Sequence, residues 1–262
     1  MANETGAVHF QPMAVPGKPL VYLVLGASGS GRREVLADLA SEGLDEGDRP
    51  AVLMAEGEFT AEGDERLPPI SLWTWNGGAI DGELPADATH VFFVTHGRIS
   101  PVDQLEAFKA WLAVQGAELA RILAIVNCRL AEQHPALLAW YEACVHFADV
   151  VLLTRREGVG NKWLSDFLAH FHDRFYPCLF ELVKAGRVRN PVLILDPQAR
   201  RMSHVFDEEQ DWIVTGEDGE PLDDESSKDE EEVEAAIEED PYFARDAAGR
   251  RVKRIPDIAK YL

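Results

Sequence analysis

From Pro19 onward the chain alternates between continuous apolar runs and stretches with helical spacing. PLVYLVLG (19–26) is apolar at nearly every position and ends at a glycine, whereas REVLADLASEG (33–43) places its apolar residues three and four apart and stops at Gly43. An uninterrupted apolar run of this length marks a strand covered on both faces, and the following periodicity marks a helix. Further strands are predicted at AVLMAE (51–56), THVFFVT (89–95), RILAIVN (121–127), ADVVLLT (148–154) and PVLILD (191–196). Helical spacing recurs at 102–116, 134–147 and 161–175. This alternation predicts an α/β fold, a doubly wound and mainly parallel sheet, with ligands bound beyond the carboxyl ends of the strands. The loops after Leu25, Glu56, Thr95, Asn127 and Thr154 are expected on one rim.

The ends of the chain differ from this core. Residues 1–18 show no sustained periodicity and read as a flexible leader to a domain spanning 19–206. Residues 207–240 carry 18 Asp or Glu against Lys228 alone, the composition of a disordered acidic segment. Residues 241–262 are basic, with six Lys or Arg against two Asp, and the sequence leaves open whether they dock. Of the net charge of −21, only −8 falls within residues 1–206. A field of this sign disfavours nucleic acid and anionic membrane as partners. The acidic segment suits a basic protein partner, a cation, or the loop arginines of its own chain; a merely solubilising tail is the plainer alternative.

Three cysteines, Cys128, Cys144 and Cys178, have neither CxxC nor CxC spacing, so no zinc motif and no disulfide framework is expected. No apolar run reaches the ~18 residues of a membrane span. A cytoplasmic protein is the resulting expectation.

The candidate chemistry lies in Gly26-Ala27-Ser28-Gly29-Ser30-Gly31-Arg32-Arg33, between the first strand and the first helix. A phosphate loop, GxxxxGK[ST], needs glycines so that successive backbone N–H groups can wrap phosphate at a helix N-terminus. Gly26, Gly29 and Gly31 meet that need, so a sheet of P-loop NTPase type is expected. The pattern's lysine reaches the β and γ phosphates and its Ser or Thr ligates Mg²⁺. Arg32 and Arg33 stand in those places. Arg32 can still pair with phosphate, but Arg33 removes the hydroxyl and brings a repelling charge, so Mg²⁺ is not expected to be held there.

Four segments, in order, resemble the CobW-type GTPases, P-loop proteins that act as metallochaperones or in cobalamin synthesis. GASGSGRREVL (26–36) is similar to the family's GFxGxGKTTLL, and AVLMAEGE (51–58) to AVIVNEFGE, with Glu56 on the motif glutamate. VTHGRISP (94–101) resembles ETSGLADP, keeping Thr95, Gly97 and Pro101, and HFADVVLLTRREGV (146–159) resembles AFADVVLLNKTDLV. The resemblance implies the fold, a GTP or other nucleotide ligand, and contacts from Glu56, Thr95, Gly97, Thr154, Arg155 and Glu157. The departures fall on chemistry. Asn76-Gly77-Gly78-Ala79-Ile80-Asp81 lacks the CxCC metal motif, NKxD becomes Thr154-Arg155-Arg156-Glu157, and a later strand ends in Asn127 where the family has Asp. A pseudo-GTPase with a regulatory or accessory role is therefore the leading expectation. A nucleotide-free scaffold working through the acidic segment is one rival; the other is a small-molecule kinase, since GASGSGR is also similar to the GxSGSGK loop of gluconate-type kinases.

Other candidates have plainer readings. His170 and His172 point to different helix faces and read, with Asp166 and Asp173, as solvated residues. His96 lies on the rim without a visible nucleophile. Trp111, Trp140 and Trp163 have helical spacing and are expected in the core, while Trp73 and Trp75 alternate like strand residues.

Overall fold

A computed structural model describes residues 17–59, 64–207 and 239–262. The leader up to residue 16 and the acidic run from 208 to 238 lie outside the described residues, and with them the expected disorder of that run. Eight strands form one sheet: β1 (Leu20–Gly26), β2 (Pro50–Ala55), β3 (Ile70–Asn76), β4 (Ala79–Asp81), β5 (His90–Val94), β6 (Glu118–Asn127), β7 (Val150–Thr154) and β8 (Leu179–Leu182). Their order is β4-β3-β2-β5-β1-β6-β7-β8. Every pairing is parallel except the β3–β4 hairpin, which turns at Gly77-Gly78. The order reverses at β1, which lies between β5 and β6, so the loop after β1 opens at the topological switch point.

Helices cover both faces. On one lie α1 (Arg32–Glu42) and α6 (Pro191–Leu195); on the other lie α2 (Pro101–Gln115), α3 (Cys128–Gln133), α4 (Leu138–Phe147) and α5 (Asn161–His172). The two-residue period of β1 divides its side chains accordingly. Tyr22 and Val24 pack with Val35, Leu36 and Leu39 of α1, while Val21, Leu23 and Leu25 pack with Phe108, Trp140 and Phe147. Trp73, Trp111 and Trp140 are buried, and Trp163, partly buried on α5, packs against the core and stacks on Phe167.

One predicted strand is a helix. PVLILD (191–196) supplies the whole of α6 and its C-cap Asp196, with Pro191 in the first turn and the Asn190 side chain accepting from the Leu193 amide. An apolar run of five or six residues has no period that separates strand from helix, and the proline and its cap supply only a place for a helix to start. Tertiary bonds complete the helix: Arg121 Nη1 donates to the Leu193 carbonyl at 2.8 Å and the Tyr22 hydroxyl to that of Leu195 at 2.9 Å. The place of a last strand is taken by β8, a short edge strand that apolar content did not reveal.

The basic C-terminal segment docks. Tyr242 and Ile258 are buried in the core on the α2–α5 face, and Phe243 stacks on Phe147 with ring centres 5.4 Å apart. Asp240 accepts hydrogen bonds from His146 at 2.8 Å and Ser203 at 2.5 Å, and Arg251 pairs with Asp103 at 2.9 Å. Among the described residues no helix is long and apolar enough to cross a membrane.

Candidate functional site

The carboxyl ends of β1, β2, β5, β6 and β7 bring Gly26–Arg33, Glu58, Thr95–Gly97, Asn127 and Thr154–Glu157 to one rim. The β1–α1 loop wraps inward: the Ser30 amide donates to the Ala27 carbonyl at 3.1 Å and the Ser28 amide to the Gly97 carbonyl at 3.2 Å. Gly31 caps α1 with φ +87°, a conformation that an L side chain adopts only with strain. The Thr154 hydroxyl lies 2.6 Å from the Ser30 carbonyl oxygen and 2.9 Å from that of Val126, sharing its one proton between them. The loop is thereby tied to β5 through Gly97 and to β7 through Thr154. Among the described residues, the amides of Gly29, Gly31, Arg32 and Arg33 meet no acceptor. They sit at the positive end of the α1 dipole.

Arg32, in the place of the phosphate-loop lysine, is buried. Its Nη1 donates to the Thr95 carbonyl at 2.6 Å and its Nη2 to Glu58 Oε2 at 2.5 Å. Burial pulls the guanidinium down from its ordinary value, and the Glu58 carboxylate opposes that pull. Glu58 also accepts from Ser28 Oγ at 2.5 Å and from the Gly97 amide at 2.8 Å. Sequence reasoning missed this residue. Glu56, the motif glutamate of the resemblance, is exposed, and Glu58 is the carboxylate that faces the loop. Both belong to a single 3-10 turn, Glu56–Glu58, in which positions two apart point in different directions.

Arg33 turns toward Asp64, with Nε 2.5 Å from Oδ1, and its Nη2 donates to the Glu58 carbonyl. A magnesium ion, which the phosphate-loop pattern ordinarily holds through the Ser or Thr at this place, does not fit this donor set: a guanidinium stands in the hydroxyl's place, and the Ser28 hydroxyl is committed to Glu58. Among the described residues no group of three or more His, Cys, Asp or Glu could hold a metal ion.

Two adjoining clefts open over the loop. One, of about 410 Å³, is lined by Gly29, Gly31, Arg32, Arg33, Arg66 and Arg155, among others. The other, of about 250 Å³, is lined by Gly31, Thr154, Arg155, Glu157, Val183 and Gly186, among others. Arg155 stands between them with φ +49°, pairing through Nη2 with Glu34 Oε1 at 2.6 Å. Four arginines and one carboxylate, Glu34, line this cleft in a chain of net charge −21. Arg66 carried no motif signal, because its loop precedes β3 without a pattern of its own.

His96 is near the loop but is not equipped as a base. Burial lowers its pKa, Glu58 opposes that shift, and Arg32 and Arg98 reinforce it. The Arg98 amide donates to Nδ1 at 3.2 Å, which suits a neutral ring protonated at Nε2. Asn127 serves as an N-cap, its side chain accepting from the Leu130 amide at 3.1 Å.

The fold and the loop define an α/β domain of the phosphate-loop type, with an arginine-lined cleft at the switch point of its sheet. No protein-family model matches the chain, and no curated protein matches it in sequence. Among solved structures it is similar to the Zn(II)-bound YjiA GTPase from E. coli, at 16% identity and a TM-score of 0.45 over 70% of this chain and 67% of that one. It is also similar to the hydrogenase maturation factor HypB from Archaeoglobus fulgidus, at 12% identity and a TM-score of 0.41 over 63% of this chain and 81% of that one. For HypB from Helicobacter pylori in complex with nickel the identity is 12% and the TM-score 0.38, over 63% of this chain and 78% of that one.

Proposed function

We infer that this chain binds a nucleotide or another phosphate-bearing ligand over Gly26–Arg33, without metal-dependent turnover, as a GTPase-deficient relative of the CobW-type proteins with a regulatory or accessory role. The observation that carries the reading is the cleft itself: loop amides at the N-terminus of α1 that meet no acceptor among the described residues, with Arg66 and Arg155 lining the opening beside them. Backbone amides and guanidinium forks are the donors that phosphate oxygens take. The adjoining cleft beside Thr154, Arg155 and Glu157 offers room for a base or sugar. Arg33 and the committed Ser28 hydroxyl argue against a magnesium-assisted hydrolysis.

The test is calorimetric titration with GTP, GDP, ATP, ADP and inorganic phosphate, each with Mg²⁺ and with EDTA, on wild type and on Arg66→Ala/Arg155→Ala. Those two side chains are outside the buried Arg32–Glu58 pair, so the fold should tolerate their loss. Binding that ignores EDTA and weakens in the double variant supports the reading. Absence of binding by every ligand would sink it and leave a nucleotide-free scaffold, whose partner would be sought with a chain lacking residues 207–240.

A further inference from the structure

We propose that Glu58 is a built-in anion that occupies the far end of the phosphate cradle and restricts the site to ligands with a short phosphate chain, a nucleoside diphosphate or monophosphate. This rests on the phosphate-binding reading above and names its ligand class. The Glu58 carboxylate gathers donors that a terminal phosphate would otherwise use. It takes the Arg32 guanidinium at 2.5 Å, the Ser28 hydroxyl at 2.5 Å and the Gly97 amide at 2.8 Å, with its side chain only 6% exposed. His96 Nδ1 lies 3.7 Å away.

Arg32 is the decisive member. The residue after the last glycine of a phosphate loop is the one that reaches the end of the phosphate chain. Here that side chain is 5% exposed and is held from both sides, by Glu58 and by the Thr95 carbonyl at 2.6 Å. The Gly97 backbone closes the same end. Its carbonyl takes the Ser28 amide, and a Cβ built on it would come within 2.7 Å of the Ala27 carbonyl carbon and of Arg32 Nη2. Among the described residues, Gly97 and the loop are thus in backbone contact, with not even a methyl group's room between them. A γ-phosphate brought there would meet a buried carboxylate whose donors are already committed, and like charges in a site of low polarity repel strongly.

The opposite end of the loop is different. Among the described residues the amides of Gly29, Gly31, Arg32 and Arg33 meet no acceptor, and Arg66 and Arg155 line the open cleft beside them. Phosphate is therefore received at the helix-side half of the cradle, and Glu58 does for the other half what a γ-phosphate would do. The chain is arranged to recognise the product-like form of a nucleotide without the cation that a triphosphate brings with it.

The experiment compares pyrophosphate with tripolyphosphate, and GDP and ADP with GTP and ATP, by calorimetry in EDTA, on wild type and Glu58→Gln. Wild type is expected to favour each shorter chain by at least about tenfold. Glu58→Gln, which keeps the shape and removes the charge, is expected to shrink that preference to less than about threefold while leaving pyrophosphate affinity within about twofold. Thermal unfolding of the variant checks that it is folded, and the wild-type preference is read without any variant. If wild type binds long and short chains equally, the proposal is overturned while the phosphate-binding reading stands. A wild-type preference that survives in folded Glu58→Gln also overturns it, since the carboxylate would not be the cause. If wild type binds none of these phosphates, the underlying reading fails and the proposal with it.

Discussion

Arg32 Nη2 donates to Glu58 Oε2 at 2.5 Å, with the two side chains 5% and 6% exposed. A buried pair of this kind contributes modestly as a pair, yet loss of one partner leaves the other charged and unsolvated. Arg32→Ala is therefore expected to cost about 3–5 kcal/mol in urea denaturation. Arg32→Met combined with Glu58→Gln should cost clearly less than Arg32→Ala alone. Strictly additive losses in the corresponding double-mutant cycle would show that the two charges do not depend on one another.

Gly97 and Ser28 are packed backbone to backbone. Gly97→Ala would place its Cβ within 2.7 Å of the Ala27 carbonyl carbon, an atom with no rotamer to yield. The expected result is a loss of about 1–3 kcal/mol and of pyrophosphate binding, because the loop must shift outward. A variant as stable as wild type with unchanged binding would mean that the loop is free to move away from β5.

The three cysteines are buried, and burial pushes the Cys128 and Cys178 thiols up to about 12 and raises that of Cys144 as well. A thiol so far above neutral pH has almost no thiolate to react. Native protein at pH 8 should leave an aromatic disulfide reagent uncoloured over minutes, and three equivalents should react once guanidinium unfolds it. A fast equivalent in native protein would locate a cysteine outside the packed core.

Asp240 ties the C-terminal segment to α4. Burial raises its pKa, but the hydrogen bonds from His146, Ser203 and the Tyr242 amide lower it further, for a net position below the ordinary 3.8. A carboxylate depressed by folding adds stability that is present above its unfolded pKa and lost as pH falls through the folded one. Hydrogen exchange at Tyr242 to Ile258, corrected for intrinsic rates, should therefore quicken below about pH 4. Asp240→Asn should quicken it already at pH 7 and flatten the pH dependence. Exchange independent of both would show that Phe243 stacking and the Arg251 pairs hold the segment without Asp240.

The sequence by itself determined the parts whose signals are local. The apolar runs at 19–26, 51–56, 89–95, 121–127 and 148–154 became parallel strands, because a strand buried on both faces must be apolar at every position. The glycines between β1 and α1 announced a tight, amide-rich turn for the same kind of reason: only backbone without Cβ can take it. What those runs could not decide was anything resting on a partner distant in the chain. PVLILD became α6 once Arg121 and Tyr22 met its carbonyls, 70 and more residues away in sequence. Tyr242 and Ile258 entered the core because α4 and α2 leave a face for them, which the basic charge around them did not disclose. Glu56 and Glu58 are the same amino acid two positions apart, and a 3-10 turn at the end of β2 decided which one is buried against Arg32. Side-chain chemistry is written residue by residue, but a charge acquires its partner only when the sheet brings β2, β5 and the glycine loop to one rim.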